Sequence, residues 1–219
     1  GGAPDRRAVA LTFDDGPSVY TLKILALLER YQARGTFFAV GSHMEKYPEV
    51  VRALVRAGEE LGNHSFSHPR LTEVDQAARE RELERTDLDL DLLAGPHGHD
   101  LFRPPYSAYD ERLLTYLEHT HRRLVLWGVD SGDWQGLSAP QIIANVLPRV
   151  RPGVIVIFHD GDEAGQADRS PTVAALAEIL PALQRAGYRL VTVSELLALP
   201  RGGEGLVPGM PTPAGRASR

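Results

Sequence analysis

The sequence predicts an α/β fold with parallel strands, on three observations. Short apolar runs alternate with amphipathic stretches along most of the chain. Seven such runs can be counted, and strand–helix alternation implies parallel neighbours joined by right-handed crossovers. The strands read as fully buried, as strands covered on both faces are. An open doubly wound sheet and a closed barrel both satisfy this pattern.

The elements follow in order. Ala8–Phe13 reads as a buried strand, and Thr21–Ala33 as a helix with Leu22, Leu25 and Leu28 on one side. Gly35–Val40 is a second strand, followed by a helix over Tyr47–Ala57 that Gly58 ends as a C-cap. Glu59–Asn63 is a short third strand. Thr72 is expected to cap a long charged helix reaching Leu93, with Asp75 close to capping-box spacing. Leu101–Arg103, a helix over Asp110–His119, and a fifth strand over Arg123–Trp127 come next. A helix starts at Ser138 or Ala139, with Pro140 in its first turn. Gly153–Phe158 is the clearest strand, a continuous apolar run bounded by Pro152-Gly153. A helix over Pro171–Ala186, a last strand over Tyr188–Val193 and a short helix capped by Ser194 complete the pattern. From Pro200 onward Gly, Pro and Arg dominate, too little apolar surface to offset ordering, so a flexible tail is expected. The reading is one domain over residues 1–199 and a tail over 200–219.

Composition narrows the function. Of 219 residues, 42% are hydrophobic, enough for one domain with a substantial core. A net charge of −5 argues against a nucleic-acid binder, which would carry a basic face. The absence of cysteine excludes a disulfide framework, a thiolate nucleophile and a Cys-rich zinc site. No apolar run is long enough to span a bilayer. The chain opens GGAPDRR and enters its first strand with no signal peptide in view; a secreted protein whose leader is gone would read the same.

Polar groups follow five strand ends. They are Asp14-Asp15-Gly16-Pro17, His64-Ser65-Phe66-Ser67-His68, Arg103-Pro104-Pro105-Tyr106, Asp130-Ser131-Gly132-Asp133-Trp134 and His159-Asp160-Gly161. In a parallel barrel the C-terminal strand ends share one face, where barrel enzymes keep their active sites. His64 and His68 are four residues apart, a spacing that can bring two imidazoles toward one point. Taken alone the pair is more commonly two solvated loop histidines. Asp15, leaving a strand expected to end on the same face, would complete a three-ligand site with open positions. Asp14 beside it diverges and is free to handle a proton, although Asp-Gly-Pro is also ordinary turn chemistry.

Thr12-Phe13-Asp14-Asp15-Gly16-Pro17, His64-x-x-x-His68, Arg103-Pro104-Pro105-Tyr106, Asp133-Trp134 and His159 together resemble the polysaccharide deacetylases. This is the NodB-homology group, carbohydrate esterase family 4. The resemblance implies a distorted (β/α)7 barrel, TIM-like. It implies hydrolysis of N-acetyl groups on an N-acetylglucosamine polysaccharide, chitin-like or peptidoglycan. O-acetyl xylan, a small-molecule amide, or a silent carbohydrate-binding module are the alternatives. Asp15, His64 and His68 would hold a divalent metal, most often Zn2+, with Co2+ or another divalent ion possible. Asp14 would be the general base, held ionised by Arg103, and His159 the general acid, oriented by Asp133. Asp130 is a weaker candidate for supporting Arg103 or the same network. The main-chain N–H of Tyr106 would stabilise the oxyanion. Trp134 would wall the sugar groove, with a core tryptophan as its alternative.

Ser107 and Asp110 depart from the commonest family pattern beside the oxyanion loop and bear on substrate preference. His43, His97, His99, His119 and His121 match no motif and are read as surface residues. The expected partner is the glycan alone, with no nucleic acid, and the expected state a monomer. The expected place is extracellular or at the cell envelope, with the cytoplasm as the alternative.

Overall fold

The structure is a computed structural model that describes residues 7–95 and 100–200. Its elements are β1 (Ala8–Asp14), α1 (Thr21–Arg30), β2 (Gly35–Ala39), α2 (Gly41–Lys46), α3 (Pro48–Ala57), β3 (Glu60–Asn63), α4 (Gln76–Ala94) and β4 (Leu101–Phe102). They continue with α5 (Glu111–His119), β5 (Arg123–Leu124), β6 (Val129–Asp130), α6 (Ala139–Val146), β7 (Ile155–His159), α7 (Ser170–Arg185), β8 (Arg189–Val191) and α8 (Val193–Ala198).

All ladders are parallel, in the order β5-β4-β3-β2-β1-β7-β6, with β8 also on β1. The two ends of that order, β5 and β6, are consecutive in the chain. Residues 125–128 join the two ends through the chain, and no ladder links β5 to β6 among the described residues. The predicted strand over Arg123–Trp127 is shorter, Arg123–Leu124, and β6 lies beyond its predicted end. β5 pairs with β4, and Val129–Asp130 pairs with β7.

β1 shows how the sequence aims the site. Successive side chains of a strand point to opposite faces. Val9, Leu11 and Phe13 join the cluster shared with α1, α3, α6 and α7. Ala8 and Ala10 belong to a second cluster with Phe38, Leu101, Val125 and Val193, inside the barrel. Thr12 and Asp14 continue that inner face upward. The barrel is thus apolar at its base and polar at its C-terminal mouth. β1 lies inside the sheet, paired with β2, β7 and β8, and all seven of its residues are buried.

Two helix caps differ from expectation, and one helix is additional. Asp75 caps α4, its side chain accepting from the Ala78 N–H at 2.7 Å, because Leu71 is buried and keeps Thr72 in the preceding turn. Thr192, with Glu195 in a capping box, starts α8 in place of Ser194. α2 was not predicted: six residues are too few to show a helical period. Residues 201–219, read as a tail, lie outside the described residues, as do His97 and His99.

Candidate active site

The loops after β1, β3, β4, β6 and β7 meet at one mouth. A cavity of about 390 Å3 there is lined by Asp14, Asp15, His64, His68, Tyr106, Trp134 and His159, with Trp127, Asp130 and Glu163 among its other walls.

Oδ1 of Asp15 lies 3.3 Å from Nε2 of His64 and 3.1 Å from Nε2 of His68. The three ligand atoms fall within 4.8 Å of one another, and all three residues are buried. The donor chemistry fits a divalent cation. Nδ1 of His64 lies 2.7 Å from the Arg103 carbonyl, which only accepts, so Nδ1 carries the hydrogen and Nε2 keeps its lone pair for a metal. Burial opposes the Asp15 carboxylate, but the two imidazoles outweigh it and hold its pKa well below the usual range. Burial likewise opposes charge on His64, and Asp14 and Asp15 override it, raising its pKa.

Asp14 points into the barrel beside this cluster. Nη1 of Arg103 donates to its Oδ1 at 2.6 Å and to Thr12 Oγ1 at 2.8 Å, while Nε donates to the Val125 carbonyl at 3.1 Å. The guanidinium has no exposed surface and lies 4.1 Å from the centre of the Phe38 ring and 5.3 Å from that of Trp127. Oδ2 of Asp14 stays free of Arg103, 3.9 Å from His64 Nε2.

Across the cavity Nδ1 of His159 donates to Asp133 Oδ1 at 2.8 Å. Asp133 is buried and is itself held by the His159 N–H, by Thr172 Oγ1 at 2.9 Å, and through its carbonyl by Arg169 at 3.1 Å. Burial disfavours the imidazolium, yet Asp133 prevails and the His159 pKa rises to about 9.

Tyr106 sits in a 3-10 turn over Pro105–Ser107 with φ 57°, a left-handed value rare outside glycine. Ser107 and Ala108 donate back to Pro104 and Pro105, while the Tyr106 N–H has no acceptor among the described residues. Its ring packs 4.8 Å from that of His68, and its hydroxyl donates to Glu163 at 2.8 Å. Asp15, Ser65, His68 and Ser107 share the positive φ, so left-handed residues other than glycine concentrate around this mouth, as strain at functional sites does. Trp134 is 57% exposed, a face on the cavity rim and not a core side chain.

Two expectations are corrected. Asp130 does not reach Arg103; its side chain accepts from the Gly132 N–H at 2.8 Å and so shapes its own turn. His43 is not a free surface residue: half-buried, it donates to the Asp15 carbonyl at 2.8 Å. His119 and His121 are exposed, as read. Ser107 lines the cavity, whereas Asp110 caps α5 and pairs with buried Arg79 at 3.4 Å. The sequence suggests no role for Thr12, Arg169 or Thr172, because each acts through another side chain; Thr12 opens the first motif, and the other two stand in none.

The family model described as polysaccharide deacetylase matches residues 1–125. The chain belongs to the polysaccharide deacetylase family. This deacetylase is 36% identical over 199 residues to a peptidoglycan-N-acetylglucosamine deacetylase of Bacillus cereus, covering 89% of this chain and 70% of that one. It is 34% identical to a chitooligosaccharide deacetylase of Sinorhizobium fredii, covering 85% and 89%. The crystal structure of a peptidoglycan N-acetylglucosamine deacetylase bound to an N-oxidanyl-benzamide superposes with a TM-score of 0.82 at 35% identity, over 89% of this chain and 90% of that one. Likeness at this level shows the family's (β/α)7 fold and its class, hydrolases of carbon–nitrogen bonds other than peptide bonds.

Proposed function

We propose that this deacetylase removes N-acetyl groups from an N-acetylglucosamine-containing polysaccharide, chitin-like or peptidoglycan, releasing acetate and a free amine. One observation carries the reading. A carboxylate held by a guanidinium and an imidazole held by a carboxylate line the same cavity, with a three-ligand cluster between them. The relatives named for peptidoglycan and chitooligosaccharide support the substrate class.

Asp15, His64 and His68 would hold the metal, and their nitrogen-rich donor set favours zinc. When bound, a divalent cation supplies charge that polarises the acetyl carbonyl and makes water more acidic. Asp14 receives the proton of the attacking water at Oδ2, the oxygen that Arg103 leaves free. Arg103 fixes the Asp14 rotamer through a charge-assisted hydrogen bond. The free N–H of Tyr106 donates to the oxyanion of the tetrahedral intermediate from a backbone fixed in advance. His159, its Nδ1 engaged by Asp133, protonates the departing nitrogen from Nε2; without that proton the amine is a poor leaving group. Trp134 offers its ring face to pyranose C–H groups. The protein works, on this reading, as a monomer at the cell envelope or outside the cell, with residues 1–199 as the catalytic domain.

The test is acetate release by zinc-loaded protein from chitooligosaccharides, peptidoglycan and acetylxylan. Release from the N-acetylated glycans is expected. Release from acetylxylan alone would make the protein an O-acetyl esterase, and sugar binding with no acetate would make it a silent binding module.

A further inference from the structure

We infer that α2 is a brace between the two loops that carry the metal ligands, and that His43 is the positioning residue through which it holds Asp15. The inference rests on the ligand assignment above and concerns how that cluster is kept in register.

Three consecutive carbonyls turn the chain at the ligand loop. The Asp14 carbonyl accepts from the Asp160 N–H at 3.1 Å, and the Gly16 carbonyl from the Val40 N–H at 2.9 Å. The middle one, of Asp15 itself, is held by a side chain, Nδ1 of His43, at 2.8 Å. A carbonyl only accepts, so Nδ1 of His43 carries the hydrogen. The other side of the Asp15 carbonyl is closed by Gly161, where an added Cβ would lie 2.2 Å from the oxygen. This peptide needs holding, because Asp15 has φ 70°, a left-handed value that costs a non-glycine residue energy.

The same helix grips the second loop. Gly41 N–H donates to the Ser65 carbonyl at 3.0 Å, and Ser42 N–H to the Phe66 carbonyl at 2.9 Å. Both acceptors lie between His64 and His68. At Gly41 a Cβ would meet Phe66 at 2.5 Å and Thr86 at 2.9 Å, so the helix sits flush against that loop. One six-residue element thus touches the Asp15 loop with a side chain and the His64–His68 loop with its first two N–H groups. Of these links only the one made by His43 can be removed by side-chain substitution.

The experiment measures Zn2+ and Co2+ affinity of the full chain by competition with a chromophoric chelator, and the absorption spectrum of the Co2+ form. His43→Phe keeps a ring without the donor; His43→Asn keeps a short donor without the ring. We expect His43→Phe to bind Zn2+ 10- to 100-fold more weakly with a changed Co2+ spectrum, and His43→Asn to recover most of the loss. Wild-type affinity and spectrum in His43→Phe would overturn the inference, as would equal losses in both variants, which would mean that ring packing matters and the hydrogen bond does not. If instead the wild type binds neither ion at this cluster, the ligand assignment fails and not the brace alone. Circular dichroism of the metal-free variants checks that each folds; should His43→Phe not fold, His43→Ala takes its place against the same two criteria.

Discussion

Nη1 of Arg103 ends 2.6 Å from Oδ1 of Asp14, and neither side chain has more than a trace of exposed surface. Removing one partner of a buried ion pair leaves the other uncompensated, at a cost of about 3–5 kcal/mol. Arg103→Ala is therefore expected to lower stability by that order, read by urea or thermal unfolding. Arg103→Lys keeps the charge but loses the Nε bond to Val125 and the fixed fork. It should stay folded with weakened turnover. Unfolding curves unchanged in Arg103→Ala would show that this pair does not support the fold.

Asp14→Asn removes the proton acceptor and leaves Asp15, His64 and His68 in place. Metal content by elemental analysis is expected to match wild type, while acetate release falls by about 10²–10⁴-fold. Turnover within a few-fold of wild type would assign the base elsewhere.

The His159–Asp133 pair sets the alkaline limit. His159 has its pKa raised to about 9, against an ordinary 6.5, and it must be protonated to act as the acid. Turnover should fall as pH rises through that pKa. Part of the rise comes from Asp14 and Asp15, whose charge a bound cation offsets, so the limb of the loaded enzyme lies below about 9. In Asp133→Asn the leading cause of the rise is gone, and the limb should move to lower pH by about one unit or more in kcat–pH profiles. An unmoved limb would separate His159 from the titration.

Glu59 yields a stability prediction far from the chemistry. Burial pushes its pKa from 4.5 to about 7, although its carboxylate accepts from the Gly35 N–H at 2.6 Å. The folded state thus favours the proton. Its contribution is full below pH 4.5 and is lost as pH climbs through about 7. Glu59→Gln cannot ionise, so it should melt higher than wild type at pH 8 and close to it at pH 5. The bound on the difference is about 3 kcal/mol. Identical melting at both pH values would refute the assignment.

Most strand positions and the motif groups were legible in the sequence because both are local. Apolar runs such as Val154–Phe158 are buried on both faces, and each motif sits at one strand end. What it hid is non-local. That β5 stops at Leu124 and a separate β6 follows depends on the neighbour each finds, β4 or β7. Thr172 and Arg169 reach Asp133 from 36 or more residues away, and nothing in their own surroundings announces it. His43 carries no motif, and α2 is shorter than two helical turns. Asp130 misled because a carboxylate near an arginine-bearing strand end suggests an ion pair, whereas its own turn claims it.

Gly16 and Gly161 pack tightly around the turn that carries Asp15. A methyl group on Gly16 would stand 2.1 Å from the Asp160 carboxylate, and one on Gly161 2.2 Å from the Asp15 carbonyl. That turn has no slack, so variety at the mouth is left to side chains that stand away from it, such as Ser107, Trp134 and Glu163.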